Sequence, residues 1–152
     1  MGEWLIAPEV SFAIRGERGV VEILAWHAPS RTLLVIELKT EIVDINELMG
    51  TIDRKRRLAP EIARARGWSP RVVAVWVIVG DSRTNRRRVQ SHAATLRAAF
   101  PLDGRMIKSW LRSPAEGVRC LSFWTDPLGS ARKPDVATVK RVRLRRPEQA
   151  AA

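Results

Sequence analysis

Apolar residues gather into three short runs within the first forty residues, and the period then changes. WLIAPEVSFAI at 4–14 predicts a first strand interrupted at Pro8, and the glycines of GERG at 16–19 supply a turn. VVEILAW at 20–26 predicts a second strand and TLLVIELKT at 32–40 a third, joined by the turn formers of HAPSR. Links this short favour an antiparallel meander. From Asp44 the pattern is helical: Ile45, Leu48, Met49 and Ile52 fall at i, i+3, i+4 and i+7, with Asp44 as N-cap. Pro60 is expected to kink this helix or to start a second short one, and Gly67 to end it.

RVVAVWVIV at 71–79 is β-branched and apolar on both faces, which predicts a central strand covered by helices on each side. A crossover helix between the third and fourth strands makes that pair parallel. Val89, Ala93, Leu96 and Phe100 predict a helix over 84–99, and Met106, Ile107, Trp110 and Leu111 a short one over 105–112. RCLSFW at 119–124 reads as a last strand. The chain thus divides into an α/β domain at 1–128 and a basic C-terminal extension at 129–152, extended or partly disordered, in which KRVRLRR offers either a basic edge strand or a tail that orders on DNA. No internal repeat is found.

Composition narrows the classes. A chain of 152 residues, 45% hydrophobic and 28% charged, suits one domain with a real core. The single Cys120 forms no internal disulfide and no cysteine-based metal cluster. The longest apolar run, VVAVWVIVG at 72–80, is about half of what a bilayer crossing needs, so a cytoplasmic protein without a membrane partner is expected. The 27 Lys and Arg against 16 Asp and Glu give +11, a balance that points to a polyanion, nucleic acid first. An arginine-rich surface of no special role is the blander account.

The third strand ends in chemistry. Residues two apart in a strand share a face, so Glu37 and Lys39 point one way and Ile36 and Leu38 the other. Core packing alone does not select a carboxylate and an ammonium, since burying either unpaired is costly. Glu22, set in VVEILAW on the neighbouring strand, is the natural companion acid. Facing carboxylates repel unless a cation lies between them, and oxygen ligands with water suit Mg²⁺ or Mn²⁺.

An acid on one strand, then an apolar strand ending Glu-X-Lys, then a helix, resembles the PD-(D/E)XK or restriction-endonuclease-like nucleases, in particular their Holliday-junction-resolvase-like branch. The matching pieces are RGERGVVEILAW and LLVIELKTE within residues 15–41. The resemblance implies a mixed sheet flanked by helices: an antiparallel three-strand meander, a crossover helix and a parallel fourth strand. It implies that Glu22 stands where the family has Asp, that Glu37 is the second metal-binding acid, that the Leu38 carbonyl is a further ligand and that Lys39 is the catalytic lysine. A helix that precedes the first strand in the family, with a further acid, has no counterpart here; Glu3 and Glu9 are the acids nearby, and Glu9 is the extra candidate.

Two basic clusters fit a DNA backbone. Arg54, Lys55, Arg56 and Arg57 are consecutive in the crossover helix and are expected to spread around its exposed side, with one of them reaching the active-site cleft; a merely solvated helix face is the alternative. Arg86, Arg87 and Arg88 are expected in the first turn of the helix over 84–99, where each opposes the helix dipole by ~0.3–1 kcal/mol and so suggests a compensating anion. Trp26 and Trp110 could stack on bases, although six Trp in a chain without Tyr more often serve the core, and His27 and His92 lack metal-ligand spacing. The expectation is a metal-dependent deoxyribonuclease acting on DNA with Mg²⁺ or Mn²⁺, a homodimer being compatible with it. The alternative is a catalytically inactive DNA-binding or regulatory module on the same fold; a basic RNA-binding or ribosome-associated protein is a third reading.

Overall fold

A computed structural model of the chain describes residues 3–124; the basic extension at 129–152 and its KRVRLRR stretch lie outside the described residues. Three strands open the fold: β1 (Trp4–Ile14), β2 (Glu17–His27) and β3 (Thr32–Lys39). Ile14 pairs with Glu17, so the β1–β2 turn has two central residues, Arg15 and Gly16, with φ of 46° and 81°. Positive φ at both positions matches the turn to the strand twist, and glycine takes the second without strain. A four-residue turn closed by the Arg31 N–H on the Ala28 carbonyl at 3.1 Å leads into β3.

β1 runs on through Pro8, contrary to the interruption expected there. It is the edge strand of the sheet, where a proline's missing N–H need not remove a ladder bond. The disturbance falls one residue later. Glu9 has φ of 49° and drops out of the pairing between Pro8 and Val10, after which the buried positions change parity from Ala7 to Val10 and Phe12.

Asp44 caps α1 (Ile45–Arg64) by accepting the Asn46 and Glu47 N–H groups at 2.8 and 3.2 Å. Pro60 neither ends this helix nor divides it. Leu58, Ala59, Ile62 and Ala63 are buried around it, and their packing outweighs the hydrogen bond that the proline removes. The helix returns the chain to β4 (Val72–Gly80), parallel to β3. Then follow α2 (Arg83–Ser91), α3 (Ala93–Ala99), α4 (Gly104–Arg112) and β5 (Arg119–Trp124), which is parallel to β4.

The helix expected over 84–99 is divided at His92, whose φ of −115° and ψ of 25° leave the helical region. The bend lets Val89 as well as Leu96 and Phe100 meet the core.

The result is an α/β fold with one mixed sheet in the order β1-β2-β3-β4-β5. Leu33 and Val35 of β3 and Val75, Val77 and Val79 of β4 meet the apolar stripe of α1 and the ends of α2 and α3 on one face. Leu34, Ile36, Ala74, Trp76 and Ile78 meet Trp110 and Leu111 of α4 on the other. Two covered faces explain the unbroken apolar run of β4. Among the described residues, no helix is long and apolar enough to cross a membrane.

Burial pushes the Cys120 thiol up to about 12, which makes it a poor nucleophile in the folded chain. Leu58 is wholly buried and Val43 is 75% exposed. Leu58→Ala is expected to cost about 2–5 kcal/mol and Val43→Ala within about 0.5 kcal/mol, measured by urea unfolding. Alkylation of Cys120 at pH 8 should speed up in the first variant and not in the second.

Candidate functional site

The alternation of β3 carries four side chains toward α1. Leu33 and Val35 join the core, and Glu37 and Lys39 follow them on the same face. Glu37 is only 1% exposed. Its Oε2 accepts a hydrogen bond from Lys55 Nζ at 2.6 Å, and its Oε1 lies 3.5 Å from Lys39 Nζ. The Lys39 side chain keeps 34% of its exposure, so one ammonium faces the surface and the other the interior.

Lys55 is therefore not on the exposed side of α1, as its place in a run of four basic residues suggested. It is buried with Ile52, Leu58 and Ala59 in the inward stripe of the helix. The sequence held the signal: extending the repeat of Ile45, Leu48 and Ile52 by one turn lands on residue 55. Arg54 is half-buried, and its Nε is buried without a hydrogen-bond partner among the described residues. Arg57 pairs with Glu17 at 2.7 Å and Arg15 with Glu61 at 2.7 Å, which fastens α1 to the β1–β2 turn. Arg56 is exposed.

Glu22 reaches the same strand end by another route. The β2–β3 ladder stops at Ile23 opposite Ile36. One residue further along, the half-buried Glu22 accepts a hydrogen bond from the Leu38 N–H through Oε2. A side-chain carboxylate thus takes the place of a ladder carbonyl where the strands part, and it lies at the Glu37–Leu38 peptide. Glu9, exposed, sits between Pro8 and Val10, whose partners Ile23 and Val21 flank Glu22.

The loop after β3 is held by a residue that the sequence did not single out. Asn85 is 1% exposed; its Oδ1 accepts the Ile42 N–H at 3.1 Å, and its Nδ2 donates to the Thr40 and Gly80 carbonyls, both at 2.9 Å. A side chain at Gly80 would place its Cβ 3.1 Å from the Thr40 oxygen, so the two strand ends approach closely only with glycine there. No local pattern marks an asparagine whose partners lie on β4 and in the loop after β3.

The arginines of α2 differ from expectation. Ser82 caps the helix by accepting the Asn85 N–H at 3.0 Å, so the first turn begins at Arg83 and Arg86–Arg88 follow it. Arg86 forms two bonds to Asp81, at 2.6 and 3.0 Å, and lies over the Phe123 ring at 4.3 Å. The same contact holds the Asp81 carboxyl below the usual carboxylate range. Arg88 donates to the Ile42 carbonyl and lies 3.4 Å from Glu41. Arg87 is exposed and makes no ion pair among the described residues.

The tryptophans considered for base stacking are packing residues. Trp26 is 6% exposed and stacked on Trp68, and Trp110 packs against Trp4 while its Nε1 donates to the Glu116 carbonyl at 2.9 Å. His27 is buried in the β2–β3 turn, with Nδ1 2.6 Å from Ser30 Oγ and Nε2 3.0 Å from Glu3.

The oxygen donors at the strand end, the Glu22 and Glu37 carboxylates and the Leu38 carbonyl, fit a hard divalent cation in kind. Among the described residues, no group of three or more His, Cys, Asp or Glu side chains is placed to hold a metal. Mg²⁺ is commonly held by one or two carboxylates together with water and substrate phosphate, and two carboxylates lie at this strand end.

Glu37→Gln is expected to cost about 3–5 kcal/mol in urea unfolding, because it leaves the Lys55 ammonium buried beside a neutral amide. Glu37→Leu combined with Lys55→Met should recover most of that loss, within about 1 kcal/mol of the parent, since an apolar pair needs no counter-charge. Comparison of the chain with protein-family models, with curated proteins and with solved structures finds no match in any of the three.

Proposed function

We propose that this chain is a metal-dependent DNA endonuclease-like protein that hydrolyses phosphodiester bonds on a restriction-endonuclease-like fold. The observation that carries the reading is the buried Glu37 at the end of a parallel strand, with Lys39 beside it on one face and the Glu22 carboxylate against the following peptide. Glu22, Glu37 and the Leu38 carbonyl would hold Mg²⁺ or Mn²⁺. When bound, such an ion polarises a phosphate and lowers the pKa of water.

The chain's own groups account for the rest. Lys39, a third exposed, can reach from the carboxylate to a phosphate at the surface, where its ammonium orients the attacking water or meets charge building on phosphorus. Glu22, Glu37, Lys39 and Lys55 together are formally neutral, so a divalent ion held there would add the positive charge that attracts a phosphate. Exposed Arg56 and Arg87 are the backbone contacts that the basic clusters leave available.

A second reading rests on a specific observation. Both Glu37 oxygens already face lysines, which suits a silent DNA-binding or regulatory module. Incubation of the purified chain with duplex, branched and single-stranded DNA and Mg²⁺ or Mn²⁺ separates the two. The nuclease reading expects cleavage that stops with chelator. It also expects Lys39→Met to lower turnover at least about 10²-fold while DNA binding stays within about threefold, because the ammonium acts mainly in the transition state. Metal-independent DNA binding without cleavage would leave the silent module. Arg87→Gln is expected to reduce the log-log salt slope of duplex binding by roughly 0.9, the share of one phosphate that the guanidinium no longer neutralises.

A further inference from the structure

Resting on the metal-dependent reading above, we infer that Lys55 is a positioning residue that occupies Glu37 in place of a divalent cation, so that metal binding at this site proceeds by displacing the Lys55 ammonium. Glu37 is one carboxylate with two ammonium partners, and Lys39 alone balances its charge. The carboxylate therefore has one cation more than charge balance needs. Lys55 stands in the apolar stripe of α1, between Ile52 and Leu58, and is 6% exposed. A lysine there costs desolvation that the Glu37 contact offsets only partly.

The position of the contact assigns the role. Lys55 takes Oε2 at 2.6 Å, the shorter of the two approaches, while Lys39 stands off at 3.5 Å from Oε1. Lys55 thus blocks the carboxylate more closely than the catalytic candidate does. An ammonium 2.6 Å from Oε2 and a divalent ion on the same carboxylate repel each other in a poorly screened interior, so the two compete for Glu37. Whatever free energy the Lys55 contact supplies to the metal-free chain is subtracted from metal affinity, and the coupling is reciprocal. Glu37 keeps a cation in either state, while the displaced Lys55 ammonium, 6% exposed in the metal-free chain, has to swing toward solvent.

The test is a Mn²⁺ titration of the whole chain, followed by calorimetry and by the loss of the free Mn²⁺ paramagnetic resonance signal, without DNA or turnover. Lys55→Met should bind Mn²⁺ about ten- to a hundredfold more tightly than the parent, the range that corresponds to one charge-assisted hydrogen bond. Lys39→Met, which removes the same charge from the looser position, should change affinity less than about threefold, as expected of a partner that does not occupy the ligating oxygen. Equal affinity of parent and Lys55→Met, or an equal gain in both variants, overturns the inference and leaves the nuclease reading standing. Absence of Mn²⁺ binding in parent and variants overturns both.

Where Lys55→Met does not fold alone, Lys55→Gln is titrated beside it, and circular dichroism is followed with Mn²⁺ present. Folding restored by Mn²⁺ supports the inference, because the ion then stands in for the ammonium. Failure of both variants to fold at saturating Mn²⁺ overturns it, because Lys55 is then a structural cation that no metal replaces.

Discussion

The contact between Glu37 and Lys55 fixes how the helix sits on the sheet. A carboxylate that is 1% exposed cannot be left without a partner, and its nearest partner comes from the middle of α1. A shift of α1 by one residue would carry Lys55 off the inward stripe and leave both charges desolvated and apart. Apolar contacts between Leu33, Val35 and the Ile45–Ile62 stripe tolerate some sliding, whereas a hydrogen-bonded ion pair does not. The hydrophobic surfaces supply most of the driving force for packing α1 on β3, and the ion pair selects the register.

Around that pair, the end of β3 is held by polar groups. Glu22 takes the Leu38 N–H where β2 departs, and Asn85 takes the backbone of Thr40, Ile42 and Gly80 beyond it. Each bond satisfies a main-chain group that the end of a ladder would otherwise leave without a partner. Arg88 on the Ile42 carbonyl and Arg86 on Asp81 extend the arrangement into α2. Basic residues that from sequence suggest a DNA contact are in these two cases engaged by the loop that follows the strand and by the start of their own helix.

Much of the fold was legible because it rests on period. Short apolar runs between turn formers marked β1, β2 and β3, the run 71–79 marked a strand covered on both faces, and Asp44 marked the start of α1. Exceptions arose where packing overrode a local rule. Pro60 stays within α1 because buried neighbours flank it, and β1 continues past Pro8 because an edge strand can lack an outward-facing N–H. Of the candidate site, Glu37, Lys39 and Glu22 were readable as charged residues in apolar strands. Lys55 was legible in position and misjudged in environment, since four basic residues in succession suggest solvent while the helical repeat places one of them inward. Asn85 was not legible, because its meaning lies in carbonyls forty-five and five residues away.

A purely structural account of the strand end has to explain why one carboxylate has two lysines. A fold that needed only register could meet the requirement with Glu37 and Lys55, leaving position 39 free for any residue that tolerates a third of its surface in water. Replacement of the whole cluster by apolar residues would often be neutral or stabilising. The arrangement instead keeps a buried acid, a buried base and a partly exposed base at the mouth of a parallel strand pair, next to a second acid held on the adjacent peptide. Charges gathered at the carboxyl end of a strand, where the sheet opens and helices on one face converge, are better placed to meet a ligand than to stabilise the core.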